Sequence, residues 1–371
     1  MLSRREVIGA AALAAFPGVA MAEHTPVVIP LQRRGDSIWV EATINGIGPL
    51  RVVVGHLSDA GVVSPELVAR CRLHELGDVI VGPGDKDTKL YRAEVLSLAG
   101  ALDIRKANFV ALPNDQGWPD ASCTLNHMHG SFGYDFEKNT LTYLRDRPSL
   151  TGYESLEIGL RGQDRLRPDS NARVVVLLDG EPASLDVGPE SSPGIVLHGA
   201  YVKERGLWDW GGRRLPGTDQ NLVGKRTQSR TIRMKSLEVG RTTIDGPVVK
   251  LGEPRDRERA YPVDGCIGFE VARRFGLWIC RDPTIIAVRP NAHVSEPFNY
   301  DRSGFDVIAE HGVRRVASLL PGGPADKAGL RVDDVLDGPL DPALDGSSSG
   351  PPDSTIVVRI NRNGVVQSRE V

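Results

Sequence analysis

The chain has 371 residues, a length that suits about two or three domains. Its composition is 40% hydrophobic and 25% charged, as in ordinary globular proteins, which excludes a mostly disordered chain. Lys and Arg number 45 against 48 Asp and Glu, so the net charge of -3 gives no support for a nucleic-acid binder. Four cysteines exclude a disulfide-dense scaffold.

Residues 1–22 have the features of an export signal. Arg4-Arg5 is a twin-arginine start, a weakly apolar run follows, and Ala20-Met21-Ala22 is a cleavage site of the A-x-A type. No apolar run reaches the roughly 18 residues that span a bilayer. The sequence predicts a twin-arginine signal peptide and a periplasmic or secreted protein without a membrane span. In that oxidising compartment the cysteines are able to pair. Cys266 and Cys280 are closest in sequence, but both lie in apolar runs, which fit two buried free thiols at least as well.

From Val27 onward, short segments rich in β-branched residues alternate with turn signals, which predicts a mainly β protein. The turn Asn45-Gly46 precedes one apolar strand, and Asp179-Gly180 precedes another 134 residues later. Gly130-Ser131-Phe132-Gly133 resembles Gly265-Cys266-Ile267-Gly268 at nearly the same offset. Two matches in the same order predict a duplicated unit. The two copies are residues 27–148 and 170–290.

In each copy, a strand and a tight turn lead into an apolar strand and a Gly-containing loop, and a later G-x-x-G precedes aromatic and acidic residues. This order resembles the bacterial retropepsin-like aspartic peptidases with a PDZ-like tail. The second copy matches well, with Leu185-Asp186-Val187-Gly188 at the family's Asp-Thr-Gly and Asp264-Gly265-Cys266-Ile267-Gly268 as the later motif. The resemblance implies an all-β, two-lobed pepsin/retropepsin-like pair of acid-protease barrels, with a small PDZ-like module behind them.

Aspartic peptidases share one proton between two Asp side chains, one from each lobe, and so activate a water against the peptide bond. The resemblance implies Asp186 as the catalytic residue of the second lobe, with Gly188 as support. In the first lobe an ungapped alignment puts Gly55-His56-Leu57 at Asp-Thr-Gly, so the catalytic Asp is missing and Gly55 stands in its place. Asp59-Ala60-Gly61 is a displaced copy of the motif that offers Asp59 as an alternative acid and Gly61 as its support. His56 has a pKa suited to a base, but it occupies the Thr position, whose side chain points away from the water.

Residues 298–371 resemble a PDZ domain, on the pattern from Pro321 to Leu336. Ser303, Gly304 and Phe305 fall where the family's loop binds a peptide carboxylate through backbone N–H groups. The PDZ family places a second helix after this pattern, but residues 337–354 here contain four prolines. We therefore expect that helix to be missing and peptide binding by the tail to be weak.

Three functions stay open. The favoured one is an exported aspartic-peptidase-like protein that is catalytically impaired and binds extended peptides or unfolded protein segments. The alternatives are an active aspartic endopeptidase that uses Asp186 with Asp59, and a structural or interaction protein whose grooves are vestigial. No cofactor is expected. No metal is expected either, because His127-Met128-His129 lacks a clear third ligand. The oligomeric state stays open.

Overall fold

The protein is described by a computed structural model at residues 25–34, 37–56, 58, 60–81, 86–112, 119–126, 128–158, 172–190, 194–211, 214–220, 226–256, 263–281, 284–298, 303–310, 313–338 and 355–371. These residues form mainly β-strands with a few short helices, which confirms the predicted all-β class. In the ranges given above, no helix has the length and apolar character needed to span a membrane.

The first part of the chain contains strands β1 Val27–Pro30, β2 Gln32–Arg34, β3 Ser37–Ile44, β4 Ile47–Gly55, β5 Gly61–Val63, β6 His74–Val81, β7 Lys86–Arg92, β8 Val95–Leu98, β9 Leu102–Arg105, β10 Asn108–Ala111, β11 Ala121–Thr124, β12 Ser131–Asp135, β13 Thr140–Leu144 and β14 Glu154–Ser155. The middle part contains β15 Arg173–Leu178, β16 Glu181–Val187, β17 Ile195–Leu197, β18 Leu215–Gln220, β19 Arg226–Arg233, β20 Ser236–Val239, β21 Thr242–Asp245, β22 Val248–Gly252, β23 Gly265–Ile267, β24 Phe275–Arg281 and β25 Thr284–Pro290. The last part contains β26 Phe305–Glu310, β27 Val313–Leu319, β28 Val335–Leu336, β29 Val357–Arg362 and β30 Val365–Glu370. The helices are α1 Pro65–Arg70, α2 Gly199–Glu204, α3 Phe269–Ala272 and α4 Pro324–Lys327, with 3₁₀ turns at Leu207–Asp209 and Ala292–Ser295.

These strands form four sheets. The N-terminal sheet has the order β6-β7-β10-β5-β11-β4-β3-β8-β9, with β2 paired to β3, and the central sheet has the order β18-β19-β22-β17-β23-β16-β15-β20-β21. Strand for strand, the two orders are the same, so one nine-strand unit occurs twice. The bridging sheet, β1-β13-β12-β24-β25-β14, is symmetric about the antiparallel pair β12 and β24. The tail sheet is β26-β27-β28-β29-β30.

The tight turns that begin the two units are built alike. Asn45-Gly46 and Asp179-Gly180 have positive φ at both positions, as a two-residue hairpin turn requires. The side-chain oxygen of Asn45 accepts hydrogen bonds from two successive backbone N–H groups where β8 begins, at 2.9 and 3.2 Å. Asp179 Oδ1 does the same where β20 begins, at 2.8 Å to each N–H. One side chain thus fixes the turn and its neighbouring strand in each unit.

A pair of aspartates identifies a second set of corresponding strands. Asp120 precedes β11 and accepts from the backbone N–H of Arg51 at 2.7 Å, and Asp264 precedes β23 and accepts from the N–H of Ser184 at 2.8 Å. β11 therefore corresponds to β23. The sequence match of residues 130–133 with residues 265–268 was wrong, because 131–133 lie in β12, which corresponds to β24. The shared glycines produced a false match between strands that do not correspond. The aspartate that precedes β11 and β23 identifies the strands that do.

The two nine-strand units and the bridging sheet share one hydrophobic core, which runs from Ile29 to Phe298. The tail has a separate core that includes Phe305, Val316 and Ile360. The tail is thus a packing unit of its own.

The segment that leads to the tail is fixed by a buried arginine. Arg274 is 0% exposed, and its guanidinium lies 4.0 Å from the centre of the Phe298 ring. The same guanidinium donates to the backbone carbonyls of His293, at 3.0 Å, and Glu296. The direction in which the chain leaves the bridging sheet is therefore set by packing and hydrogen bonds.

We predict that Asp179→Gly lowers the free energy of unfolding by about 1–2 kcal/mol, because two backbone N–H groups lose their acceptor while glycine still tolerates positive φ. Urea denaturation measures this. Asp179→Asn keeps an acceptor oxygen and should stay within about 0.5 kcal/mol of the unchanged protein. Equal losses in both variants would show that the oxygen does not hold the turn.

Candidate functional site at the junction of the two units

The ends of β4 and β16 are the places where the resemblance puts the catalytic motifs. Asp186 pairs with the second residue of β23, and Val53 pairs with the second residue of β11. Asp186 therefore corresponds to Val53, and Gly188 corresponds to Gly55. The ungapped sequence alignment, which set Asp186 opposite Gly55, was displaced by two residues. From the turn to this point β4 has one residue more than β16, so an alignment anchored on the turns fails as well, by one residue.

Asp186 lies in a buried ion pair. Its Oδ1 accepts from Arg173 Nε at 2.8 Å, and the two side chains are 8% and 10% exposed. Arg173 lies directly opposite Asp186, on β15. In the N-terminal sheet, Trp39 and Val53 hold the corresponding positions. The ion pair thus stands where the other unit has two apolar side chains, which gives Asp186 a structural role.

A carboxylate does lie beside Gly55, but it belongs to Glu190. Glu190 follows β16 and its Oε1 accepts from the backbone N–H of His56 at 2.7 Å. A Cβ on residue 55 would stand 2.6 Å from the Glu190 carboxyl carbon. The Glu190 carboxylate therefore fills the space that any side chain of residue 55 needs, so an aspartate at 55 and this placement of Glu190 exclude each other.

His56 and Glu190 belong to a polar group that we call the junction cluster, together with Asn126, Tyr134 and Arg281. His56 is completely buried, and its Nε2 lies 2.8 Å from Tyr134 Oη. Arg281 donates to Asn126 Oδ1, and its Nη2 lies 3.4 Å from His56 Nδ1. Because a guanidinium only donates, Nδ1 is the acceptor, and the ring proton is on Nε2, which donates to Tyr134. The cluster thus ties both halves of the chain together.

Burial keeps the neutral forms in this cluster. Burial and then the charge of Arg281 hold the pKa of His56 well below its ordinary value. Burial and then the charge of Glu190 raise the pKa of Tyr134 well above its ordinary value. Burial and Glu190 also raise the pKa of the neighbouring Cys123 to about 12, so its thiol is a weak nucleophile. The cluster contains one carboxylate, a neutral imidazole and a neutral phenol, which is not a pair of acids that share a proton.

Sequence reasoning singled out only His56 from this cluster. A weak signal existed for Glu190, since it follows Gly188 by two residues at the end of an apolar strand. Arg281 likewise ends the apolar run of β24. Nothing in the sequence shows that Asn126 and Tyr134 meet them, because the contacts span up to 155 residues.

Asp59, Leu57 and His127 lie outside the described residues. Gly61 begins β5, and a Cβ there would stand 2.7 Å from the Phe109 ring, so packing alone requires the glycine. Among the residues that the structure describes, no three His, Cys, Asp or Glu side chains are grouped to hold a metal ion. No disulfide joins the four cysteines, all of which are described.

The tail loop Ser303-Gly304-Phe305 is held tightly within its module. Gly304 has φ of +76°, and its carbonyl accepts from Leu320 N–H at 2.7 Å. The Ser303 carbonyl accepts from Ala325 N–H at 2.9 Å, and Phe305 is in the tail core. The loop is fixed against the end of β27 and the start of α4. Residues 339–354, within the stretch where a second PDZ helix was expected to be missing, lie outside the described residues.

The outer face of β26 and β27 covers the edge of the central sheet. Thr218 N–H donates to Asp306 Oδ2 at 2.8 Å, and Ser318 Oγ donates to the Pro216 carbonyl at 3.2 Å. Asp306 pairs with Ser318 across the two strands, so both side chains point to this face. Since β18 is an edge strand, the tail satisfies backbone groups that would otherwise be open.

No family model matches the chain, and no curated protein matches it either. What the site does is therefore inferred from its geometry.

We predict that Asp186→Val alone lowers the free energy of unfolding by about 3–5 kcal/mol, because it leaves Arg173 buried without this counter-charge. Asp186→Val combined with Arg173→Leu should return to within about 1–2 kcal/mol of the unchanged protein, as an apolar pair does in the other unit. Urea denaturation of the three proteins measures both effects. A single variant as stable as the parent would remove the structural role of Asp186.

Buried His56 and half-buried His198 make stability depend on pH. Unfolded His56 takes up a proton below about pH 6.5, whereas its folded pKa is held lower, so this stability is present above pH 6.5 and is lost as the pH falls. His198 acts in the same direction, because burial and then Arg255 lower its pKa. We expect the free energy of unfolding to fall between pH 7 and pH 5, with up to about 1.4 kcal/mol per pH unit from each residue.

Urea denaturation at pH 7, 6 and 5 measures this slope, and His56→Gln and His198→Gln should each reduce it. A slope unchanged in His56→Gln would mean that His56 gains its proton equally in the folded and unfolded chains.

Proposed function

We propose that the protein is an exported aspartic-peptidase-like protein that has lost the acid pair and binds extended polypeptide segments without cleaving them. In this interpretation, residues 27–148 and 170–290 are the two lobes, and residues 298–371 are a PDZ-like tail. The repeated nine-strand order and the symmetric bridging sheet support a two-lobed fold of the retropepsin type. The six strands of the bridging sheet would then join the lobes beneath a cleft.

The lack of an acid at corresponding positions of the two units carries the proposal: Asp186 corresponds to Val53, and Gly55 corresponds to Gly188. Peptide hydrolysis by this class needs two carboxylates that share one proton at about 3 Å. Residue 55 has no side chain, and the Glu190 carboxylate beside it is bound to the His56 backbone N–H. Loss of general acid–base groups costs about 10²–10⁴ in rate for each group. The junction cluster is suited to holding the lobes together and poorly suited to activating water.

The endopeptidase alternative requires Asp186 to face a second acid across the junction. By register, Val53 is the residue of the first unit that corresponds to Asp186. The Asp186 carboxylate binds Arg173. Nothing observed favours that alternative over the proposal.

We predict that the chain from Glu23 onward produces no cleavage above background in a pool of unfolded peptides between pH 3 and pH 7. The matched control is the double variant Asp186→Val with Arg173→Leu, which keeps the fold and lacks the acid. Fluorescence anisotropy with labelled members of the same pool should show saturable binding for both proteins.

Cleavage by the parent that disappears in the double variant would overturn the proposal and establish an endopeptidase that depends on Asp186. Absence of both cleavage and saturable binding would overturn it in favour of a purely structural role.

A further inference from the structure

β6 and β18 are corresponding edge strands of the two nine-strand units. Their partner strands, β7 and β19, pair with β10 and β22 in the same register. Following that register outward, Asp78 corresponds to Pro216 and Ile80 corresponds to Thr218. The two positions that the tail binds on β18 therefore have direct counterparts on β6.

The backbone N–H and C=O groups at these positions point outward from the edge of the sheet. In an antiparallel strand, alternate residues direct both backbone groups to the same side. Thr218 and Pro216 direct theirs to the tail, where Asp306 and Ser318 bind them. By correspondence, the N–H and C=O groups of Asp78 and Ile80 face outward as well.

Nothing in the described part of the chain covers this edge of β6. Among the described residues, none forms a hydrogen bond with the outward backbone groups of Asp78 or Ile80. Ile80 is 62% exposed and Leu76 is 39% exposed, which is unusual on an uncovered edge. Native proteins cover, charge or shorten open edges, and this chain covers the corresponding edge with its own tail. One of two equivalent edges is thus covered, and the other presents apolar side chains.

We propose that the outer edge of β6 is a docking site for an extended polypeptide segment, which adds a strand to the N-terminal sheet. This rests on the proposed function, because it names where the polypeptide binds. Backbone groups of the segment would pair with those of Asp78 and Ile80. Asp78 and Ile80 lie on the same face of the strand, and Leu76 lies at the bulge that precedes Gly77. The segment that fits carries a basic residue opposite Asp78 and an apolar residue opposite Ile80.

Pairing with β6 of a second copy fits this edge less well. An antiparallel pair centred on Asp78 would bring the two Asp78 carboxylates together, and like charges that face each other across strands are destabilising. A basic segment meets no such repulsion.

The test uses a fluorescein-labelled peptide of about ten residues that alternates valine and threonine around a central arginine. The control peptide has prolines in place of two threonines, so it cannot form the strand ladder. Ile80→Pro removes the outward N–H, which an edge strand tolerates. The matched control Ile80→Thr keeps that N–H and has the residue found at the corresponding position of β18.

We expect the peptide to bind the chain from Glu23 onward, and Ile80→Pro to weaken binding at least tenfold. Ile80→Thr should stay within about threefold, and the proline peptide should not bind. Hydrogen exchange should show that the peptide protects the Asp78 and Ile80 amides.

Binding that survives Ile80→Pro would overturn this docking site while leaving the proposed function intact, with the cleft as the site. Loss of all peptide binding would overturn both, and peptide hydrolysis would overturn only the proposed function. Concentration-dependent dimerisation in sedimentation, abolished by Ile80→Pro, would overturn the polypeptide docking site in favour of a second copy.

Discussion

The antiparallel pairing of β12 with β24 holds the body of the molecule together. Each strand comes from a different half of the chain, and each continues into a hairpin, so the six-stranded bridging sheet is complete only when the halves meet. Tyr134 lies on β12 and Arg281 on β24, and these strands deliver both side chains to His56. The junction cluster is therefore a product of this pairing. Its position, at the ends of β4 and β16, follows from the same symmetry.

The two halves have the same strand order but differ in the polar side chains of their interiors. In the N-terminal sheet, Trp39 and Val53 occupy positions that Arg173 and Asp186 occupy in the central sheet. At the junction, the first half has Gly55 and the second half sends Glu190 into the vacant space. The two halves thus share a backbone arrangement while their side chains differ at corresponding positions, and the hydrogen bonds of the junction join the halves there.

Local patterns predicted the strands and the turns, since Asn45-Gly46 and Asp179-Gly180 have the residues that a two-residue hairpin needs. The same patterns gave the all-β class and the presence of an internal repeat. The alignment of the repeat failed by two residues at Gly55, and an alignment anchored on the turns fails by one, because the extra residue in β4 lies in a continuous apolar run. The contacts of Asp186 and Glu190 could not be predicted, because an ion pair across β15 and β16 and a carboxylate that reaches the other half both depend on register. Sequence therefore located the region of the site, and the register decided which side chains are in it.

The tail has its own core and meets the body at β18, with Arg274 fixing the segment that leads to it. In a chain that ended before the tail, β18 and β6 would both be open, at two ends related by the symmetry of the repeat. Two such ends on one molecule are the geometry from which open-ended filaments grow, since every added molecule offers a new free end. The tail covers one of these two ends, which removes one of the two surfaces that such an assembly needs.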